Sequence, residues 1–280
     1  MKRAGVKFVH SPARHSFRHS GRLTLDLTPA TARFATCGLR PLSEWGPTLP
    51  YVIETLIIAA AAALQAGTGM GMALLAAPLL MLVNRALVPG PMLCATMALS
   101  IAVVWRERAA IDRRLLSVAF VGLTVGCAIG AFALAVLIGV NLAEVFAIFI
   151  LIIVALSVLG WQVRATTPSL LLGGAASGVL GTMFGVHGPP IAIVLQHEPP
   201  ERLRVTLCAF FAVGCGVSLV ALAIIGTFDF NQMGLGLALL PGVAIGFVCA
   251  PLLARLLNRQ RARIAVLTIS TLSAVALLLR

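Results

Sequence analysis

The sequence predicts an all-α integral membrane protein, and two observations set that class. Of 280 residues, 60% are hydrophobic and only 11% charged, with a mean hydropathy of +1.03; a water-soluble domain exposes far more polarity. The apolar stretches are also long and lack the period-two alternation of an outer-membrane barrel. The net charge of +12 does not point to nucleic acid here. The arginines cluster between apolar segments, where they set orientation. Cys94, Cys127, Cys208, Cys215 and Cys249 lie inside apolar stretches and read as small packing residues, not as a disulfide framework.

Residues 1–50 carry eight Lys/Arg against Asp26 and Glu44 alone, and no apolar core of a secretory signal follows. This basic tail reads as a disordered segment, a targeting segment or the product of a start assigned too far upstream. Apolar segments follow at 52–65, 71–83, 91–105, 115–138, 143–161, 170–184, 189–196, 205–226, 233–254 and 264–279. Crossing ~30 Å of hydrocarbon takes about 20 helical residues. Segments 115–138, 143–161, 205–226 and 233–254 meet or approach that length. The pairs 52–65 with 71–83, and 170–184 with 189–196, are individually short. Each is interrupted, by "QAGTGMG" and "GVHGPP", and reads as a broken helix or a re-entrant hairpin. The total comes to about 8–10 transmembrane segments.

The two halves repeat. "LCATMAL" (93–99) returns as "LCAFFAV" (207–213), and "GCAIGAFA" (126–133) as "GVAIGFVC" (242–249). The first repeat is 51–162 and the second 163–280. Gly122, Gly126 and Gly130, and likewise Gly242 and Gly246, recur with three residues between neighbours, which suits close helix crossing. Arginines fill the loops at 106–114 and 255–263 and mark two more at Arg164 and at Arg202 with Arg204, whereas 139–142 and 227–232 have no Lys or Arg. The positive-inside rule puts the arginine loops in the cytoplasm. Segment 115–138 then runs outward and its mate 233–254 inward, so the five-segment repeats are inverted. Inverted repeats with discontinuous helices are a secondary-transporter architecture, with substrate bound at the breaks. The same scheme places residue 50 outside despite its basic tail; a spurious extension, or one crossing more or fewer in the first pair, reconciles the two.

A helix that stops inside the membrane leaves backbone groups in need of partners, and its N-terminal end favours an anion. Proline at Pro189 suits the first turn of such a helix. Symmetry brings Gly67, Thr68, Gly69 and Gly71 opposite Gly185, His187, Gly188, Pro189 and Pro190, with Thr68 and Thr182 as hydroxyl donors. His187 is the ionisable side chain expected at mid-membrane, where such a group points to function; it either touches substrate or carries a coupling proton. Gln65 and Gln196, at the far ends of short helices, are candidates to line the cavity. Glu54, Glu144 and Asp229 are expected at the membrane interfaces.

"LQAGTGMGMALLAAPLLMLV" (64–83), "GGAASGVLGTMFGVHGPPIAIVLQ" (173–196) and "ERLRVTLCAFF" (201–211) together resemble the sulfite exporter family, TauE/SafE. The resemblance covers about residues 52–279. It implies an inner-membrane, multi-pass carrier exporting sulfite or small sulfur-containing organic anions such as sulfonates. It also implies a glycine- and proline-containing break in each half and an arginine opening the next helix, here Arg204, as a substrate contact. Two departures stand out: His187 interrupts the family's glycine run, and Met70 and Met72 occupy positions where glycine is common.

A rival reading is a transmembrane thiol–disulfide relay through Cys94 and Cys208, which occupy equivalent places in the two halves. An enzyme is not expected. No mid-membrane carboxylate pair or H-E-x-x-H zinc motif appears, and neither cofactor nor metal is implied. A P-loop is likewise absent from the sequence, so an ion or potential gradient would drive transport. At 100 mV a univalent anion gains about 2.3 kcal/mol, roughly fiftyfold, on moving to the positive side. The expected partners are a small anion and the lipid bilayer, with a homo-oligomer left open.

Overall fold

In the computed structural model the described residues are 49–69, 72–108, 111–137, 142–158, 163–256 and 259–279. The basic tail up to residue 48, together with Met70 and Gly71, falls outside them. Among the described residues the chain is all helix. Eleven α-helices follow in order: α1 (Leu49–Thr68), α2 (Met72–Val83), α3 (Gly90–Glu107), α4 (Arg113–Val136), α5 (Leu142–Val158), α6 (Thr167–Phe184), α7 (Gly188–Val194), α8 (Pro200–Ile224), α9 (Phe230–Ala238), α10 (Leu240–Leu256) and α11 (Arg259–Leu278). Among the described residues four stretches are long and apolar enough to cross a membrane: Tyr51–Thr68, Arg113–Val136, Pro200–Ile224 and Phe230–Leu253.

Two of these boundaries differ from the sequence expectation. The first segment is not short: helix α1 continues through Gly67 to Thr68, because no breaker stops it before Gly69. The segment expected at 143–161 is helical over Leu142–Val158, and residues 159–161 lie outside the described residues. The segment at 233–254 lies within two helices that meet at Leu239. Pro241 has no N–H for the carbonyl four residues back, so helical hydrogen bonding is interrupted there.

Packing is built on glycine. In lipid, helices gain little from hiding apolar surface and associate by close backbone approach. Gly122, Gly126 and Gly130 of α4 lie on the Leu171, Ala175 and Val179 backbone of α6, while Gly174 and Gly178 answer from α6 against Ala119 and Leu123. Gly242 and Gly246 of α10 lie on the Thr55 and Ala59 carbonyls of α1. Matched positions rise together in both pairs, so each pair runs parallel. The Tyr51 hydroxyl donates to the Ala238 carbonyl at 2.9 Å in the same register. Between these pairs α3 and α8 run antiparallel. Leu93 near the start of α3 clusters with Leu219 and Leu222 late in α8, and Arg204 near the start of α8 bonds Glu107 at the end of α3.

The loops sort by charge. Arg106, Arg202 and Arg204 gather at one end with Glu107 and Asp112. The Asp112 carboxylate also caps α4 by accepting from the Arg114 and Leu115 N–H groups. Arg85 stands at the opposite end, beside the Asn84 that donates to Glu54 at 3.0 Å. Glu54 is buried among the helices at this same end. On α4, Val121, Val125, Ile129, Phe132 and Val136 face outward and exposed, while its glycines face inward. An apolar outer wall of this kind is the surface that lipid covers.

Candidate functional site

Both broken helices stop in the same way. Gly69 has φ 80° and donates its N–H to the Gln65 carbonyl at 2.7 Å; Gly185 has φ 76° and donates to Gly181 at 2.8 Å. The left-handed conformation ends a helix and is open to glycine without strain. The Val186 N–H folds back to Leu180 at 3.4 Å and completes the second stop. Space around the first stop is also tight, since a Cβ on Gly69 would stand 2.6 Å from the Arg204 Cα.

A cavity lies where the two breaks meet. Its walls are Gln65 at the end of α1, Ala73 and Leu74 at the start of α2, Thr96 on α3, Gly185, His187, Gly188 and Pro189 of the second break, and Phe211 on α8. The space within it that a water-sized group can occupy is about 30 Å3. Gln65, Gly185, His187, Gly188 and Pro189 were singled out by sequence; Ala73, Leu74, Thr96 and Phe211 were not. The Gln65 amide donates to Ser100 at 3.2 Å, which fixes the first break to α3. Thr96 donates to the Met92 carbonyl at 2.9 Å and stands 3.7 Å from Met72 Sδ.

Other predicted residues lie around the cavity, not in its wall. The Thr68 hydroxyl donates to the Leu64 carbonyl of its own helix at 2.8 Å. The Gly67 carbonyl receives Arg204 Nη1 at 3.3 Å. Thr182 sits behind His187, Pro190 packs towards Gly173, and Gln196 is exposed. Arg204 clamps the C-terminal end of α1 and pairs with Glu107 at 2.7 Å. A cation at a helix C-terminus is electrostatically favoured.

The second break offers fewer backbone donors than a helix start ordinarily does. Helix α7 has seven residues, two of its first three are prolines without N–H, and the Ile191 N–H already donates to Ser177 at 3.2 Å. Polar recognition therefore shifts to the side chain at the break. His187 is 2% exposed, and its ring lies between Gly181 on α6 and Gly214 on α8. Nε2 is 3.1 Å from Ser218 Oγ, which is 2.8 Å from Thr182 Oγ1 and 3.4 Å from Cys127 Sγ. Nδ1 is buried and has no hydrogen-bond partner. Such atoms are rare in a folded protein, and an ordered water or an ion is among the groups that satisfy them. Ser218 escaped the sequence reading, although a serine inside so apolar a helix was the available signal.

The family model described as sulfite exporter TauE/SafE matches residues 55–277, a span that takes in both breaks and the whole cavity wall. The chain belongs to that family. No curated protein and no solved structure matches it. A TauE/SafE chain is a membrane transporter of the anion-exporter kind, which does not favour the thiol relay. The geometry argues against it too. Cys94 packs with Leu93 and Cys215 near the start of α3, whereas Cys208 lies in the main core near Glu107 and Arg204. The antiparallel course of α3 and α8 sets these two sulfurs at different depths, too far apart for direct exchange.

Proposed function

We propose that the protein is a secondary carrier that exports sulfite or a small organosulfonate by alternating access around the cavity between the two breaks. The observation that carries this reading is a cavity lined by residues of both breaks, with His187 in its wall, in a TauE/SafE chain. Gln65, Thr96, His187 and Gly188 supply the polar contacts, and Phe211, Leu74 and Pro189 supply the apolar wall. Arg204 holds the first break in place beside that wall. Residues 51–162 and 163–280 act as inverted repeats. Their reciprocal packing supports this: α1 of the first lies on α10 of the second, α4 of the first lies on α6 of the second, and α3 and α8 cross between. The arginine-rich end faces the cytoplasm of a cell whose inner membrane the chain crosses several times. A membrane potential alone then favours export of a univalent anion, by roughly fiftyfold at 100 mV.

The test is flux in proteoliposomes offered sulfite, sulfate, sulfoacetate and chloride, for the wild type and His187→Ala. Saturable sulfite or sulfoacetate flux that His187→Ala abolishes supports carrier and site together. Flux that survives the substitution keeps the carrier and removes His187 from the site. Absence of flux for every anion, under imposed pH and voltage gradients, refutes the reading.

A further inference from the structure

We propose that Glu107 is an internal counter-anion: its carboxylate occupies Arg106 and Arg204 in the place of the transported oxyanion, which displaces it on entering from the arginine-rich end. The inference rests on the transport reading above and gives that reading an entry site outside the cavity.

The geometry is a carboxylate shared between two guanidinium forks. Glu107 Oε2 accepts from Arg204 Nε at 2.8 Å and lies 2.7 Å from Arg204 Nη2. Glu107 Oε1 accepts from Arg106 Nε at 3.1 Å and from its Nη2 at 2.8 Å. Each oxygen is thus held by one fork, as guanidinium groups hold carboxylates and other oxyanions. Two positive charges meet one negative charge, so the cluster keeps a positive charge in excess. The Asp112 and Glu198 carboxylates at the same end stand beside Arg202 instead. A sulfite or sulfonate brings three oxygens where Glu107 brings two, and can serve both forks.

The cluster stands over the cavity on the arginine-rich side. On α8, Arg204 precedes the wall residue Phe211 by seven positions, two turns along the same face and roughly 10 Å. On α3, Glu107 follows the wall residue Thr96 by eleven positions, three turns and roughly 16 Å. On α1, the Gly67 carbonyl that receives Arg204 lies two positions past Gln65 of the wall. Cys208 sits on α8 between Arg204 and Phe211, fully buried and within electrostatic reach of all three charged groups. The route from cluster to cavity is therefore shut at that level.

The same bonds make the closure. Arg204 ties α8 to α3 and to the end of α1, and Arg106, 4.7 Å over the Phe247 ring, ties α3 to α10. The Glu107 side chain is 19% exposed and already borders water. An arriving oxyanion takes the forks, releases the carboxylate to that water and loosens α3 from α8. The empty carrier stays shut. Glu107 thus lowers the apparent affinity for the substrate, because the competent state must first be freed of it, and confines opening to a loaded carrier.

The test uses the full-length protein in lipid nanodiscs, with labelled sulfite as the probe and flux in proteoliposomes beside it. Glu107→Gln removes the competing charge and keeps the shape. It should bind sulfite about fivefold more tightly, the worth of a partly exposed ion pair, while its ligand-free thermal midpoint falls. A purely structural bond would lower the midpoint and leave the affinity unchanged or weaker. Arg106→Gln removes one fork at a side chain that is 38% exposed, and should bind about fivefold more weakly. Glu107→Gln that binds no more tightly than wild type overturns the proposal. So does Arg106→Gln with wild-type affinity, which decides the matter should Glu107→Gln not fold. Wild-type protein that binds sulfite with both shifts but carries none supports the anion site and sinks the transport reading. Wild-type flux with affinities that neither substitution moves does the reverse. Absence of sulfite binding to both the wild type and Glu107→Gln overturns the anion site outright.

Discussion

Replacing Gly181 by alanine tests the imidazole slot directly. The added methyl would overlap three atoms of the His187 ring, Cδ2, Nε2 and Cε1. Ordinary carbon contacts lie at about 3.5–4.0 Å, so the ring must retreat by roughly an ångström or more. That movement breaks the 3.1 Å bond to Ser218, worth about 1 kcal/mol, and misplaces His187 in the cavity wall. Misplacement of a binding group on this scale costs about 100-fold in turnover. Stability falls too: alanine gains about 1 kcal/mol over glycine within a helix, but the ring is held between Gly181 and Gly214, and overpacking costs about 1–3 kcal/mol. The expected result for Gly181→Ala is sulfite flux in proteoliposomes down about 100-fold with a thermal midpoint lowered by a few degrees. A graded series sharpens the test. A Cβ on Gly214 would stand 2.9 Å from Cδ2 and 3.2 Å from Nε2, which a smaller shift relieves, so flux should fall about tenfold. A Cβ on Gly216 meets nothing closer than Met97 Sδ at 3.9 Å; Gly216→Ala should transport as wild type and unfold later. Gly181→Ala with flux within threefold of wild type would refute the reasoning, since the ring position would then not govern transport.

Other substitutions probe the frame. Gly126→Ala drives a methyl into the Ala175 backbone, and overpacking of about 1–3 kcal/mol outweighs the helix gain of about 1 kcal/mol; a lowered thermal midpoint in detergent is expected, and an unchanged one would deny close α4–α6 packing. Arg204→Lys keeps the charge but cannot reach both Glu107 and the Gly67 carbonyl. It should lose about 1 kcal/mol at this partly exposed pair, read as a midpoint shift that Glu107→Gln no longer adds to. Cys94→Ser with Cys208→Ser should leave sulfite flux within about twofold of wild type, as expected for packing cysteines; loss of flux with retained folding would bring the relay back.

The sequence carried the helix ends well and the cross-helix contacts poorly. Gly69 and Gly185 announced themselves because each follows an apolar run and only glycine takes a left-handed φ freely. Gly122, Gly126 and Gly130 announced a close helix contact by spacing, though not which helix would fill it. The scarcity of donors at α7 was not read from the sequence, where the break stands as an anion cradle of backbone N–H groups; Pro189 and Pro190, which have no N–H, were the available signal. Ser218, Thr182 and Cys127 meeting behind one imidazole was not legible. They come from three helices whose relative rotation no single segment encodes. Thr96 and Phe211 joined the cavity for the same reason, and Glu54 went inward because Asn84, thirty positions on, folds back to bond it.

The bond from Tyr51 to Ala238 spans 187 positions, and that span has a consequence in time. At about 5–20 residues per second, translation takes roughly 10–40 s to cover it. Through that interval α1 sits in the bilayer without the helix that covers its small-residue face, while α4 and α6, neighbours in synthesis, have already met. The first of the described helices thus meets α2 early but has its small-residue face covered late, and a ribosome that stalls after α6 leaves that face open to whatever the membrane holds.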